Sequence, residues 1–171
     1  MPPILLPIKP LTREAFAPFG DVIETEGSHH HSINQGNAER YHDLARVDVA
    51  DEGGRPLINI FRATPWPRPI RILSMERHPL STQAFVPLTS VPFLVVVAAP
   101  TDRLRPVDLR GFITNGRQGV NYHRGVWHHA LLAILQSCDF LVVDRGGPGT
   151  NCDEVFFEEE EILLDYPATR S

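Results

Sequence analysis

Residues 121–130 read NYHRGVWHHA, and in them three histidines, an arginine, a tyrosine and a tryptophan surround a single glycine. Such side chains are costly to bury without polar partners, and they can transfer protons, bind a metal ion or hold an anion. The spacing His123-x-Gly125-x-x-His128 predicts a tight turn at the glycine, followed by the start of a strand. Adjacent strand residues face opposite sides, so only one of His128 and His129 can face a pocket, and we expect it to be His128. The stretch therefore predicts a pocket-lining turn between two β-strands.

Short apolar segments separated by turn residues make up most of the remaining chain. Its 16 prolines and 12 glycines are scattered rather than pooled in a linker, which is typical of an all-β sandwich or barrel. One short helix is predicted near the start, with Thr12 as its N-cap and its end at residues 18–20. The strand candidates are residues 21–24, 45–49, 57–63, 70–78, 83–88, 93–99, 111–114, 120–122, 130–135 and 140–143.

Length and composition narrow the class of protein. A chain of 171 residues and 19.2 kDa fits a single domain spanning residues 1–171. A net charge of -5 and a pI near 5.9 argue against nucleic acid as a partner. Cys138 and Cys152 match neither a disulfide framework nor a zinc motif. With no leader peptide and no membrane span evident in the sequence, we expect a reduced, cytoplasmic protein that does not contact a membrane.

Two segments have no obvious place in a barrel. An acidic run, Glu158 to Glu161, precedes Ile162 to Leu164 in a tail that we expect to begin at about residue 153. We interpret this tail as a solvated final helix or a loose terminus, with an arm packed on a partner subunit as the alternative. The run His29 to His31 is expected to lie in a loop.

A second polar constellation precedes the first by about forty residues of sequence. If residues 75–79 form a strand, Glu76 and His78 point to the same face, and Gln83 opens the next strand. A carboxylate, an imidazole and an amide would then converge as metal ligands or as a general acid–base pair with a hydrogen-bonding neighbour. The alternative is that Glu76 pairs with Arg77 at the surface while His78 caps the turn before Pro79.

Together the two constellations resemble the paired motifs of the cupin superfamily, in which H-x-H and a glutamate precede a P-x-G-x-x-H turn. Here Glu76 and His78 stand in place of H-x-H, and Gln83 stands in place of the glutamate. Longer runs, within a match from about residue 11 to residue 152, are similar to the ureidoglycolate lyase family. These runs are residues 38–45, 76–80 with 83–85, 114–116 with 119–123, 127–129 and 144–147.

This resemblance implies an all-β fold, a cupin-type double-stranded β-helix barrel (jelly roll) with a short N-terminal helix. It implies a homodimer that cleaves (S)-ureidoglycolate to glyoxylate and urea, without an organic cofactor. A divalent metal, nickel by resemblance, would be held by Glu76, His78, Gln83 and His128; a metal-free site is the alternative, because Glu76 and Gln83 depart from the cupin ligand set. The catalytic residues would be Glu76, His78 and His128. The alternatives are an amidohydrolase that releases ammonia and carbon dioxide from the same substrate, and a non-catalytic cupin that binds a small carboxylate.

We expect an arginine to bind the substrate carboxylate, because a guanidinium can donate two parallel hydrogen bonds to it. The candidates are Arg62, Arg40 and Arg124; Arg62 shares with Ile58 and Ile60 a strand face that we expect to point inward. The other expected substrate-binding residues are polar groups for the ureido moiety and the rim, and aromatic groups that exclude water. They are Asn34, Tyr122, Gln83, His123, Phe85 and Trp127.

Overall fold

The computed structural model describes residues 1–166, which are almost entirely β-structure. The strands are β1 Ile4–Pro10, β2 Gly20–Ile23, β3 His30–Ile33, β4 Ala38–Tyr41, β5 Arg55–Ala63, β6 Ser74–Arg77, β7 Gln83–Pro87, β8 Phe93–Ala98, β9 Arg110–Ile113, β10 Gly119–Tyr122, β11 Trp127–His128, β12 Leu132–Ala133, β13 Cys138–Gly146, β14 Asp153–Phe156 and β15 Ile162–Asp165. Three-residue 3-10 helices occupy Asn34–Gly36, Asp51–Gly53 and Pro106–Asp108.

The predicted helix near the start is confirmed as α1, Arg13–Phe16. The hydroxyl of Thr12 accepts a hydrogen bond from the backbone N–H of Ala15 at 3.1 Å, which satisfies a donor that the helix cannot satisfy itself. Phe16 is fully buried and fixes the helix on the barrel. Within residues 1–166 no helix is long and apolar enough to cross a membrane.

An eight-stranded sheet forms one wall of the molecule, in the order β14-β6-β11-β8-β9-β1-β15 with β12 also beside β8. All residues of its central strand β8, FLVVVA, are buried, because both faces of the sheet are covered. Leu94 and Val96 pack in one apolar cluster, and Phe93, Val95 and Val97 pack in the other. The second cluster lies between this sheet and the opposite one.

A five-stranded antiparallel sheet, in the order β2-β10-β7-β13-β5, forms the opposite wall. Its inner face contributes Phe85, Val120, Tyr122, Phe140 and Val142 to the cluster between the sheets. The two curled sheets confirm the expected all-β fold and its cupin-type barrel.

The other face of this sheet, which we call the outer face, carries two apolar rows. Register places Ala84, Val143 and Ile58 side by side, and Val86, Leu141 and Ile60 in the next row. Ile58 is 77% exposed and Ile60 is 55% exposed. The prediction that Ile58, Ile60 and Arg62 face inward is therefore wrong. The alternation within β5 was recognised, but Asn59 and Phe61 occupy the inner face.

A separate hairpin, β3 with β4, pairs with neither wall. Its residues are exposed except Ile33 and Ala38, which are half-buried. His30 and His31 belong to β3, so the prediction of a simple loop at His29 to His31 is wrong for two of the three residues. We call residues 30–41 the arm.

The C-terminal segment is part of the sheet, which contradicts the prediction of a final helix or loose terminus. β14 pairs with β6, and β15 runs parallel to β1 with Ile162 and Leu164 buried. The apolar residues beside the acidic run are explained by this pairing. Residues 167–171 of the predicted tail lie outside the described residues. The prediction of a strand at 45–49 is also wrong, because this segment is irregular.

Candidate active site

The two constellations meet between neighbouring strands of the eight-stranded sheet. β11 pairs with β6 so that His128 lies opposite Glu76, and His78 follows directly after β6. One ligand atom from each of Glu76, His78 and His128 lies within 4.8 Å of the others. Gly125 has the positive φ of 73° that a tight turn favours, and its N–H donates to the backbone oxygen of His78 at 3.0 Å. This turn brings the two sequence segments together.

His128 is buried and fixed on both sides. Its ring stacks on Tyr122 with centroids 4.3 Å apart and an interplanar angle of 7°. Its Nδ1 lies 3.2 Å from the backbone oxygen of His129, an acceptor, so Nδ1 carries the proton and Nε2 keeps its lone pair. Burial, with the nearby His78, lowers the pKa of His128 to about 3. The buried Nε2 has no hydrogen-bond partner within residues 1–166, as expected of an atom that binds a ligand.

His78 is held by a hydrogen-bonded chain that includes residues not predicted from the sequence. Its Nδ1 lies 2.7 Å from the backbone oxygen of Asn151, and its Nε2 lies 3.1 Å from Oε1 of Gln83. The Gln83 amide in turn donates to Oδ2 of Asp144 at 3.2 Å, and Asn59 donates to Oδ1 of Asp144 at 2.8 Å. Because a carboxylate accepts only, Asp144 fixes which end of the Gln83 amide faces His78.

A cavity of about 400 Å³, which we call the central cavity, opens beside this group. It is lined by Phe61, Arg62, Ala63, Glu76, Gln83, Phe85, His128, Ala130 and Leu131. A side cavity of about 340 Å³ adjoins it and shares Gln83. The side cavity is lined by His78, Ser81, Gln83, Asp144, Arg145, Thr150, Asn151 and Cys152. The volumes suit a small molecule held by a few polar groups.

The charge of Glu76 affects two neighbours. Burial, and secondly this carboxylate, raises the pKa of the Tyr122 phenol above its usual range. Partial burial, and then Glu76, also raises the pKa of the Cys152 thiol, whose Sγ lies 3.7 Å from Oε2 of Glu76. Both groups therefore stay protonated at neutral pH.

The structure brings together some of the residues predicted for the site. Glu76, Gln83, Phe85 and His128 line the central cavity, and His78 lines the side cavity. Tyr122 lies behind His128 as a buried stacking partner rather than at a rim.

Other predicted residues lie elsewhere. His123 turns outward and pairs with Asp21, its Nε2 3.3 Å from Oδ1, and the guanidinium of Arg124 lies 2.8 Å from Oδ2 of Asp51. Trp127 faces the opposite side of β11 from His128 and packs in the core beneath Arg77. None of these three side chains lines the central cavity. Alternating side chains explain Trp127, while His123 and Arg124 belong to the turn itself.

Two more predicted residues belong to the arm. Asn34 lies at its tip with φ of 50°, and Arg40 lies in β4. Arg62 borders the mouth of the central cavity, but its guanidinium makes two hydrogen bonds to Asp139, at 2.8 and 3.0 Å. His129 faces away from the cavity, and its Nδ1 lies 2.9 Å from the backbone oxygen of Ala130.

The three-residue group is chemically suited to a divalent metal. An imidazole nitrogen without a partner, a second imidazole and a carboxylate oxygen are ligands that first-row transition metals accept. Gln83 adds an amide oxygen beside His78. His78 has the hydrogen bond from Nδ1 to a backbone carbonyl that commonly orients a metal-binding histidine.

Comparisons with known proteins cover nearly the whole chain. A family model described as ureidoglycolate lyase matches residues 3–164. A ureidoglycolate lyase of Pseudomonas paraeruginosa is 60% identical over 161 residues, covering 94% of this chain and 95% of the relative. Ureidoglycolate lyases of Azotobacter vinelandii and Pseudomonas fluorescens are each 56% identical, covering 95% of this chain and 99% and 97% of the relatives.

Proposed function

This chain belongs to the ureidoglycolate lyase family, and from that premise we propose that it cleaves (S)-ureidoglycolate to glyoxylate and urea in the degradation of allantoin. The observation that carries the proposal is the convergence of Glu76, His78 and His128 where two small cavities adjoin, in a chain that matches the family from residue 3 to residue 164. A carbon–nitrogen lyase needs such proton-transfer groups and a means of polarising the substrate.

The reaction requires two proton movements and no covalent enzyme intermediate. The substrate carries a hydroxyl and a ureido nitrogen on one carbon. As the hydroxyl loses its proton, its oxygen forms the carbonyl of glyoxylate and the carbon–nitrogen bond breaks. The nitrogen takes up a proton and leaves as urea. No water is consumed, which distinguishes the lyase from an amidohydrolase.

Glu76 is the base that we assign to the hydroxyl proton, because its carboxylate lines the central cavity beside the two histidines. Glu76 can return this proton to the departing nitrogen, so that His78, oriented by its hydrogen bond from Nδ1 to the Asn151 carbonyl, keeps Nε2 for the metal. Gln83, held by Asp144, supplies an amide for hydrogen bonds to the ureido group. Phe85 and Phe61 limit the access of water to the reacting carbon.

A divalent metal, which we propose to be nickel on the strength of the family resemblance, would be held by Glu76, His78 and His128 with Gln83 beside them. When bound, it would polarise the substrate oxygens as a Lewis acid. The ring of His128 offers Nε2 for this role, since Nδ1 donates to the His129 carbonyl and the stack on Tyr122 fixes the ring.

We also propose that the chain is a cytoplasmic homodimer formed through the outer face of the five-stranded sheet. The two apolar rows there, with Ile58 and Ile60 mostly exposed, are more apolar than a solvated sheet face usually is. A two-fold symmetric dimer joins the same patch of both subunits, so the apolar rows of one subunit would pack on those of the other.

The direct test is turnover of (S)-ureidoglycolate by the purified chain, with urea and glyoxylate both quantified, before and after treatment with a chelator. We expect equal amounts of the two products, a loss of activity on metal removal and recovery on addition of nickel. Ammonia in place of urea would support the amidohydrolase instead. Binding of glyoxylate without any turnover, with divalent metal present, would support a non-catalytic cupin.

Single substitutions test the assignments within the cavity. His78→Ala and His128→Ala each remove one group, and we expect at least a hundred-fold loss of kcat/KM from either, on the usual order for a proton-transfer group or metal ligand. His129→Gln alters a neighbouring histidine that faces away from the cavity, and it serves as the matched control. Full activity in both cavity variants would show that the site lies elsewhere.

A further inference from the structure

We infer that the arm, residues 30–41, reaches across the dimer and places Arg40 at the central cavity of the other subunit. The inference rests on the proposed function, because it identifies the cation that binds the substrate carboxylate. It also explains why a polar hairpin stands apart from both walls of its own barrel.

The first observation is that, within residues 1–166, the central cavity has no arginine or lysine of its own chain that is free to bind an anion. The arginines around it are engaged: Arg62 with Asp139, Arg77 with Asp153 and Arg124 with Asp51. Arg145 lines the adjoining side cavity, not the central one; its Nη2 donates to three backbone carbonyls, while its buried Nε has no hydrogen-bond partner within residues 1–166.

The second observation is that Arg40 is a positively charged side chain that is free to bind an anion. Its side chain is exposed and has no hydrogen-bond or ion-pair partner within residues 1–166. The arm that carries it is nevertheless ordered by its own contacts. Nδ1 of His30 lies 3.0 Å from Oε2 of Glu39, and the His30 ring stacks on Tyr41 at 5.0 Å. An isolated two-stranded hairpin is marginal in water, so a surface to pack on is expected.

The third observation is that the arm begins on the side of the sheet where the second subunit is expected. After the arm, the chain returns across the outer face, where the backbone oxygen of Arg46 accepts from the Asn121 side chain at 2.8 Å. Asn121 shares its row with Ala84, Val143 and Ile58. A copy docked on the apolar rows therefore meets the arm.

Register also places the end of β2, from which the chain runs on to the arm, level with an apolar row and at an edge of the sheet. The chain leaves β2 at Ile23, which lies opposite Gly119, in the row that continues through Val86 and Leu141 to Ile60. β2 and β5 are the two edges of this sheet, and Phe61 and Arg62 of β5 border the cavity mouth. A two-fold axis parallel to the strands keeps height and exchanges edges, so it sets the β2 edge of one subunit over the β5 edge of its partner.

The length of the arm suffices for this crossing. Four strand residues span about 13 Å, and packed sheets are about 10 Å apart. The partner's Arg40 can then reach a carboxylate in the central cavity, where the guanidinium would donate two hydrogen bonds to it. Each active site would consist of the cavity of one chain and the arm of the other.

A mixed dimer tests this arrangement directly. We combine a chain carrying Arg40→Gln with a differently tagged chain carrying Glu76→Gln, and isolate the heterodimer through both tags. If Arg40 acts across the dimer, one of the two sites has both residues native, and the heterodimer has about half of the wild-type activity. If Arg40 acts within its own chain, both sites keep a defect and the heterodimer is no more active than the better homodimeric variant, which overturns the inference. If Arg40 has no part in binding, the homodimeric Arg40→Gln variant keeps full activity, which overturns it as well.

The homodimeric Arg40→Gln variant should raise KM for ureidoglycolate by about ten- to a hundred-fold, as expected for loss of a hydrogen-bonded charge, while Arg40→Lys should be less affected. Arg117→Gln, which alters another exposed arginine, is the control and should leave KM unchanged. An unchanged KM in Arg40→Gln would also overturn the inference.

A cross-linking experiment does not depend on turnover and so separates this inference from the proposed function. In a Cys152→Ser background, chains with Arg40→Cys and Arg62→Cys are mixed and oxidised with copper phenanthroline. We expect a disulfide between the two chains on a non-reducing gel. If dimers that turn over ureidoglycolate do not form this disulfide, the inference is overturned and the proposed function stands. If the disulfide forms in a protein without turnover, the inference stands and the proposed function is overturned.

Discussion

The burial of His128 predicts that the metal-free protein loses stability in mild acid. The ring is 1% exposed, and burial lowers its pKa from 6.5 to about 3. In the unfolded chain the same ring takes up a proton as the pH falls through about 6.5. Between these values the unfolded state binds more protons, so stability is fully present above pH 6.5 and falls as the pH is lowered toward 3. At pH 5 the loss is about 2 kcal/mol, or about 4–8 °C in melting temperature.

Urea unfolding at pH 7 and pH 5, in the presence of a chelator, measures this loss. The variant His128→Gln lacks the titrating ring, so its free energy of unfolding should change by about 2 kcal/mol less between the two pH values than that of the wild type. The variant itself should be less stable at both, because it loses the stack on Tyr122. His29→Gln, an exposed arm residue, should behave as the wild type does. Identical pH dependence in the wild type and His128→Gln would refute the reasoning.

Three further predictions concern the dimer, the half-buried carboxylate of Asp144 and the thiol of Cys152 beside the cavity. Ile60→Asp places a charge in an apolar row of the outer face and should give a folded monomer in sedimentation velocity. Val107→Asp, at another exposed apolar position, should remain dimeric. If both variants are dimeric, the interface lies elsewhere. Asp144→Asn leaves one of its two amide donors without an acceptor and should cost about 1–3 kcal/mol in urea unfolding; an unchanged midpoint would argue against these hydrogen bonds. Because partial burial and the Glu76 charge raise the pKa of Cys152, iodoacetamide should modify it slowly at pH 7.5 and faster in Glu76→Gln, and equal rates would speak against this coupling.

Much of the barrel could be predicted from local pattern. Short apolar segments and turn residues identified β7, β8, β9 and β10 closely and the middle of β13, and the glycine turn at residue 125 is confirmed. The same pattern could not tell which face of β5 points inward, because Ile58 and Ile60 look like core residues when the face that they share is in fact open. β15 was missed for a related reason: its apolar residues are few and the partner strand, β1, lies at the other end of the chain.

The candidate site likewise contains residues that the local pattern could identify and residues that it could not. Glu76, His78, Gln83 and His128 could be selected from the sequence because their spacing places them on strands that a barrel brings together. Asp144 could not, since an acidic residue at a strand end is usually solvated, and only the fold sets it against the amide of Gln83.

The sequence by itself determined the family, the β-barrel class and the main polar residues of the cavity, since these depend on residue types at short spacings. Tertiary structure alone decided which arginines are already paired, which sheet face remains open and where the arm stands. These properties depend on contacts between residues far apart in the chain, such as the pairing of Arg62 with Asp139 and of the Arg46 carbonyl with Asn121. The strand pattern is local, but charge pairing and exposure depend on the three-dimensional packing of the strands.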